Sequence, residues 1–162
     1  MNQLHPGARW SFRLGAYFVL VILSFFAAFF IIPILIVIFN IFNLGSALLV
    51  TLLAFISYIL FIIIIAEIYA RMAYNRWFYE FNESGLKLER GIIWKRYSNV
   101  PYERIQNVDV HRGIIARMLG FSSLMIQTAG YSAQPYAEGY IPAVDMNLAE
   151  QIRNFVMHKI TQ

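Results

Sequence analysis

The apolar residues of this chain are concentrated in one uninterrupted block near its start. Residues 14–66, 53 in a row, include no Asp, Glu, Lys, Arg or His. A helix crosses the roughly 30 Å hydrocarbon core of a bilayer with about 20 residues, because it rises about 1.5 Å per residue. The block is long enough for two crossings and too long for the apolar region of a signal peptide. It therefore predicts a permanent membrane anchor.

Turn-forming residues divide the block in two. Asn, Gly and Ser residues are concentrated between positions 40 and 46, and these residue types favour chain reversal. We expect two transmembrane helices, at about 16–39 and 47–68. Pro33 falls within the first and predicts a kink there, because proline removes a backbone hydrogen bond.

Basic residues flank the block on both sides, whereas the expected turn carries no charge. These residues are Arg9, Arg13, Arg71 and Arg76. Since Lys and Arg accumulate on the cytoplasmic side of membrane proteins, we expect a multi-pass protein of the cytoplasmic membrane with both ends in the cytoplasm. The organisation is then a cytoplasmic segment 1–13, a transmembrane hairpin 14–70 and a cytoplasmic domain 71–162.

Glu67 is the ionisable residue at the end of the block. A carboxylate within a bilayer is a functional candidate, because burying its charge is unfavourable. Arg71 follows four residues later, which brings the two side chains together on one helical face. Two interpretations stay open: an interfacial ion pair that closes the second span, or a proton or substrate site on a transport pathway.

Beyond Asn75 the apolar pattern changes from helical to alternating, which predicts strands. Residues 82–85 predict a tight turn and Gly91 a turn or bulge. The predicted strands are 77–81, 86–90, 92–98, 105–111, 121–128 and 140–144. Short antiparallel strands of this kind form a small barrel or sandwich.

Two helices are predicted among and after these strands. The first is short, ends at Gly120 and contains Ile114, Ile115, Met118 and Leu119. The second begins with Asn147 and Glu150, which resemble a capping box, and its apolar stripe contains Leu148, Ile152, Phe155, Val156 and Ile160. The expected fold class is an α+β membrane protein, in which a two-helix hairpin precedes a small antiparallel domain capped by an amphipathic C-terminal helix.

Composition excludes several kinds of chemistry. The chain has no Cys, so thiolate nucleophiles, disulfides and Cys-bound metals are absent. Its three His residues are scattered, and only Asp109 and His111 share a strand face. We expect no catalytic, cofactor or metal site. The net charge of +4 is too small to indicate a nucleic-acid partner.

Basic residues of the predicted sheet are candidate contacts for the membrane surface. They are Lys87, Arg90, Lys95 and Arg96. The cytoplasmic leaflet carries anionic lipids that attract such residues, although the same charges also suit a solvated sheet face. The loop at 129–139 with Tyr131, Tyr136 and the nearby Tyr140 is either a partner-docking surface, because Tyr is enriched at interfaces, or an ordered connector.

Three segments carry a resemblance to a known family. They are 86–93 (LKLERGII), 100–108 (VPYERIQNV) and 112–120 (RGIIARMLG). In this order, after two spans, they resemble the bacterial pleckstrin-homology (PH) domains of the YdbS-like membrane proteins. The resemblance implies a PH fold and a membrane location without enzymatic activity, and it transfers no functional residues. Phosphoinositide-binding PH domains carry Lys and Arg around the first hairpin turn, whereas the turn 82–85 is acidic here.

These observations predict a non-catalytic, membrane-anchored interaction module that assembles with another membrane protein or with itself. Two alternatives stay open. One is a subunit of a transport or export complex with Glu67 on the pathway. The other is a module that binds anionic lipid headgroups.

Overall fold

The computed structural model describes residues 1–42, 47–128 and 139–160. They divide into two compact units. One consists of Met1–Ser11 together with Arg71–Gln162, and we call it the sheet unit. The other is Phe12–Ala70, which we call the helix unit.

Two long helices carry the apolar block. They are α1 (Ala8–Phe42) and α2 (Ala47–Asn75). Each contains a stretch long and apolar enough to cross a membrane, Ala8–Phe39 and Leu49–Asn75. Both helices extend into the polar flanks beyond the predicted spans. The predicted turn between 40 and 46 falls largely outside the described residues, and α1 remains helical as far as Phe42.

Polar side chains connect the two helices within the helix unit. Tyr58 donates a hydrogen bond from its hydroxyl to Oγ of Ser24, and Ser24 donates one to the carbonyl of Leu20. Nε of Arg13 lies 2.6 Å from Oε2 of Glu67. From Arg13 to Ser24 along α1 the partner moves back along α2 from Glu67 to Tyr58, so the helices run antiparallel. Almost all of their apolar side chains remain exposed.

Among the described residues, the sheet unit contains seven strands in two antiparallel sheets. They are β1 (Asn2–Gln3), β2 (Phe78–Asn82), β3 (Gly85–Arg90), β4 (Arg96–Pro101), β5 (Ile105–His111), β6 (Phe121–Thr128) and β7 (Gly139–Asp145). The first sheet has the order β1-β2-β3-β4, and the second has the order β5-β6-β7. A 3-10 helix (Tyr102–Arg104) links the sheets. Two further helices are α3 (Ile114–Leu119) and α4 (Met146–Ile160).

Both sheets and α4 contribute buried apolar residues. Those that are at least 98% buried include Leu86, Leu88, Val100, Leu124, Ile126, Ile141 and Val156. Along β3 these residues alternate with exposed ones, as expected for a strand with one buried face. The helix α4 contacts β5, β6 and β7, and the ring of Phe155 meets that of Tyr102 edge-on. The observed α+β architecture agrees with the alternating pattern of the sequence.

The strand predicted at 92–98 is wrong in its first half. The structure pairs Arg90 with Arg96 across β3 and β4, so residues 91–95 form the connecting loop. The apolar run at 92–94 has the composition of a strand, but β3 has already ended at Arg90. In contrast, β5 and β6 have the predicted bounds.

The N-cap predicted for the last helix is also wrong. Oδ1 of Asp145, rather than a side chain of Asn147, accepts hydrogen bonds from the backbone N–H groups of Asn147 and Leu148 at 2.9 and 3.4 Å. This is the geometry of an N-cap one residue before the helix. Glu150 pairs with Arg153 at 2.8 Å instead of completing a capping box.

In α3 and α4, the buried residues differ from those that the sequence predicted. In α4 the buried residues are Ala149, Ile152 and Val156, whereas Leu148 and Phe155 are exposed. The helix α3 ends at Gly120 as predicted, in a left-handed conformation with φ of 73°. Yet only its Ala116 is buried, so its large apolar residues are directed outwards.

The N-terminal segment is a structural part of the sheet unit. β1 pairs with β2, and Leu4 is only 2% exposed. The N–H of His5 donates to the carbonyl of Ala143 at 3.0 Å. The hydroxyl of Tyr74 donates to the carbonyl of Leu4 at 3.1 Å, and the guanidinium of Arg9 lies 4.4 Å from the centre of the Tyr74 ring. The first turn of α1 is thereby held beside the last turn of α2.

The burial of Leu4 predicts that the sheet unit depends on this segment. We expect Leu4→Ala to lower the free energy of unfolding by about 2–4 kcal/mol, because it leaves a cavity in a packed site. Urea unfolding of the full chain in nanodiscs, followed by tryptophan fluorescence, measures this. Asn99→Ala, at an exposed position of β4, is the matched control and should change stability by less than about 0.5 kcal/mol. Equal stability of the two variants would contradict the structural role of the segment.

Candidate interaction surface

The four basic residues expected to contact a membrane surface do not form one group. In the register of the first sheet, Arg90 lies directly opposite Arg96, whereas Lys87 lies opposite Asn99. Side chains alternate between the faces of a strand, so Lys87 and Arg90 point to opposite faces. The structure therefore brings Arg90 and Arg96 together and leaves Lys87 apart from them.

The Arg90–Arg96 pair concentrates positive charge where β3 and β4 end. Like charges at directly opposed positions of an antiparallel sheet are unfavourable. Burial lowers the pKa of Arg90, and the charge of Arg96 lowers it further. Arginine nevertheless remains protonated near neutral pH. This end of the sheet is thus suited to an anion.

The charge of Lys95 is balanced in part by a neighbour. Its Nζ lies 2.8 Å from Oε1 of Glu89, which also accepts a hydrogen bond from Tyr97 at 3.3 Å. The hydrogen bond from Lys95 lowers the pKa of Glu89 below its ordinary value of 4.5 and raises the pKa of Lys95. A lowered carboxyl pKa stabilises the fold above pH 4.5 and loses that effect as the pH falls through the folded-state value. The pair is therefore fully charged at neutral pH.

The loop between β3 and β4, residues 91–95, projects two large apolar side chains. Gly91 adopts a φ of 125°, and a Cβ atom there would overlap the carbonyl oxygen of Trp94, so the loop requires glycine at this position. Nη1 of Arg76 donates to the carbonyl of Ile92 at 2.5 Å. Ile93 and Trp94 are 83% and 86% exposed. We call residues 91–95 the β3–β4 loop.

The sequence predicted a turn or bulge at Gly91 but a strand from Ile92 onwards, so the loop over residues 92–95 was missed although one signal was present. In a half-buried strand, apolar and polar residues alternate. Residues 92–94 are three consecutive large apolar residues that follow a glycine, and they do not alternate. That departure from a period of two was the indication of a loop.

Glu67 has a defined partner within the helix unit. Its ion pair with Arg13 involves side chains that are 28% and 23% exposed. The contact joins α1 to α2 beside the end of the apolar block. The expected contact between Glu67 and Arg71 remains a prediction.

Asp109, which shares a strand face with His111, is hydrogen-bonded to two side-chain amides. Asp109 accepts hydrogen bonds from the side chains of Asn107 and Gln127 at 2.9 and 2.6 Å. These bonds occupy both carboxylate oxygens. Residues 1–42, 47–128 and 139–160 contain no cluster of three or more His, Cys, Asp or Glu side chains arranged to hold a metal ion.

A shallow apolar groove runs between α4 and the first sheet. Its lining residues are Asn2, Tyr79, Phe81, Leu148, Gln151, Ile152 and Phe155. No charged side chain lines it, and its polar lining residues are Asn2, Tyr79 and Gln151. The tyrosine-rich loop lies outside the described residues except at Gly139, and Tyr140 belongs to β7, opposite Met125.

Comparison with known proteins identifies one family. The family model described as bacterial PH domain matches residues 11–160. This range begins in the first turns of α1 and ends with the last residue of α4, so it includes the apolar helices as well as both sheets. Comparison with curated proteins and with solved structures found no match.

The conformation of Gly91 gives a direct test of the loop geometry. Gly91→Ala should lower the free energy of unfolding by about 1–3 kcal/mol, because alanine is strained at this positive φ and its Cβ would overlap the carbonyl of Trp94. Gly113→Ala is the matched control, since a Cβ at Gly113 meets open space and its φ of −68° suits any residue. The measurement is urea unfolding in nanodiscs. Two variants of the same stability would show that the loop has another conformation.

Proposed function

Because this chain belongs to the bacterial PH domain family, we propose that it is a non-catalytic interaction module anchored in the cytoplasmic membrane by α1 and α2. The family match covers residues 11–160. The finer assignment to the YdbS-like proteins rests on the motifs at 86–93, 100–108 and 112–120. In this proposal the helix pair is the anchor, and the sheet unit is the part displayed at the cytoplasmic face, with α4 capping its sheets.

One observation carries the proposal. The chain leaves the sheet unit after Ser11 and returns to it at Arg71. A folded domain stays on one side of a bilayer, so the intervening segment must cross an even number of times. The 53 uncharged residues at 14–66 supply two crossings. The basic residues on both flanks support a cytoplasmic location for the sheet unit and for both ends of the chain.

The proposed partners are another membrane protein or further copies of this chain. Almost none of the residues in the most apolar stretches of the two helices are fully buried, which leaves both helices available to lipid and to additional helices. Hydrogen-bonding groups such as Ser24 and Tyr58 already connect α1 with α2, and such groups also join helices of different chains in membranes.

Binding to anionic lipids is a second candidate function, and the opposed Arg90 and Arg96 favour it. Lys87 and Lys95 are the additional predicted surface contacts. The alternative of a transport subunit has less support, because the carboxylate of Glu67 is engaged by Arg13. An ion pair at the end of two antiparallel helices explains why a carboxylate is present at the end of the apolar block, and no transport pathway is needed.

Photo-crosslinking in living cells tests the proposed assembly. A benzophenone amino acid replaces Phe29 in α1 or Phe61 in α2, which are 78% and 60% exposed. We expect ultraviolet light to produce a discrete adduct that contains a second copy of the chain or one reproducible membrane protein. The same probe at the exposed Glu83, in the turn between β2 and β3, distinguishes contacts of the helices from those of the sheet unit. Monomer alone at all three positions would contradict the assembly.

A further inference from the structure

The most exposed large apolar side chains of the described sheet unit are grouped at two tips. Ile93 and Trp94 form the first, in the β3–β4 loop, and are 83% and 86% exposed. Ile114 and Met118 form the second, on α3, and are 74% and 81% exposed. Side chains this exposed add little to the core. Exposed apolar patches of this kind mark contacts with proteins or membranes.

The first tip is bound to the end of α2. Nη1 of Arg76, the residue that follows α2, donates to the carbonyl of Ile92 in the loop. In the last turn of α2, the ring of Tyr74 lies under the guanidinium of Arg9 from the first turn of α1. The β3–β4 loop is therefore held at the end of the sheet unit from which both apolar helices leave it.

The second tip is connected to the start of α1 through Phe121. The strand that follows α3 begins with Phe121, whose ring lies against Gly7 and is centred 5.9 Å from the ring of His5. Gly7 directly precedes the first residue of α1. Within the sheet unit, both tips are thus connected to the segments at which the chain leaves the unit, after Ser11, and returns to it, at Arg71.

Basic residues border both tips. Arg90 and Arg96 face each other at the base of the β3–β4 loop, and Arg112 and Arg117 stand at the start of α3 and within it. An anion between opposed guanidinium groups would relieve their repulsion, and arginine binds phosphate with paired hydrogen bonds. Tryptophan beside Lys and Arg is typical of segments that lie in the headgroup region.

We propose that the β3–β4 loop and α3 are interfacial anchors that seat the sheet unit on the bilayer. Ile93 and Trp94, together with Ile114 and Met118, enter the boundary between headgroups and acyl chains. The guanidinium groups of Arg90 and Arg96 bind the phosphates of anionic phospholipids. This inference rests on the proposed function, because the bilayer concerned is the one that contains α1 and α2.

Two features favour lipid over a protein as the occupant of these tips. The tips are connected to the two ends of the uncharged block, which the proposed function places in a bilayer. Their basic borders also complement the negative potential of the cytoplasmic leaflet. A protein partner would need to reach the same surface beside the membrane.

Spin labels on single cysteines measure the immersion of each tip, and the chain has no cysteine of its own. The full-length protein is placed in nanodiscs of phosphatidylglycerol or of phosphatidylcholine. The test positions are Ile93→Cys and Met118→Cys. Ser84→Cys, exposed in the turn at the other end of β3, is the matched control. Phe29→Cys in α1 reports insertion of the helix pair.

Labels at positions 93 and 118 should show a severalfold higher ratio of collisions with oxygen to collisions with a water-soluble nickel complex than the label at 84. Values equal to that at 84, with position 29 immersed, would overturn the seating and leave the proposed function standing. A water-exposed label at 29 would instead overturn the proposed function. Immersion at 93 that occurs in native membranes but not in pure lipid would identify a protein partner and also overturn the inference.

The arginine pair is tested in the protein labelled at position 93. Immersion should be greater in phosphatidylglycerol than in phosphatidylcholine, and the double variant Arg90→Gln, Arg96→Gln should lose this difference. Arg104→Gln is the matched control, since it removes one exposed charge from the 3-10 helix beyond the other end of β4, and it should retain the difference. A double variant that keeps the full dependence on anionic lipid would show that these two residues do not bind phosphate.

Discussion

The constraint on which the rest of this structure depends is the passage of an uncharged block between two parts of one folded unit. Backbone polar groups within hydrocarbon must be satisfied internally, so any part of residues 14–66 that crosses a membrane must be helical. Both ends of the block return to the sheet unit. The antiparallel course of the two helices follows from that return.

The N-terminal segment holds the two flanks of the uncharged block together. Leu4 is buried, Tyr74 donates to its carbonyl, and Arg9 covers the Tyr74 ring. The start of α1 and the end of α2 are thereby brought together by the sheet unit, and the Arg13–Glu67 ion pair joins the helices a few residues further along. Holding the ends of a long segment together reduces its conformational entropy. The sheet unit therefore helps to define the hairpin, because it holds the first turn of α1 beside the last turn of α2.

Patterns in the sequence predicted those features that depend only on residues close together in the chain. An uncharged run predicts apolar helices, and alternation predicted β5 and β6 to the residue, because each strand has one buried face. The role of β1 was not predictable in this way, since two residues show no periodicity and Leu4 is buried by distant residues. The opposition of Arg90 and Arg96 was also hidden, because it depends on the register that the β3–β4 loop imposes. The cap of α4 was misplaced by two residues because Asp145 also ends a strand.

The central claim is that both flanks of the apolar block lie on the cytoplasmic side of a membrane, and labelling of single cysteines in intact spheroplasts tests it most directly. Cysteines are introduced at Asn2 and Ser84, both exposed in the sheet unit, and at position 46 in the predicted turn. A membrane-impermeant maleimide should modify only position 46 until the membrane is permeabilised, after which it should modify all three. Labelling of Asn2→Cys or Ser84→Cys in intact spheroplasts would contradict the account.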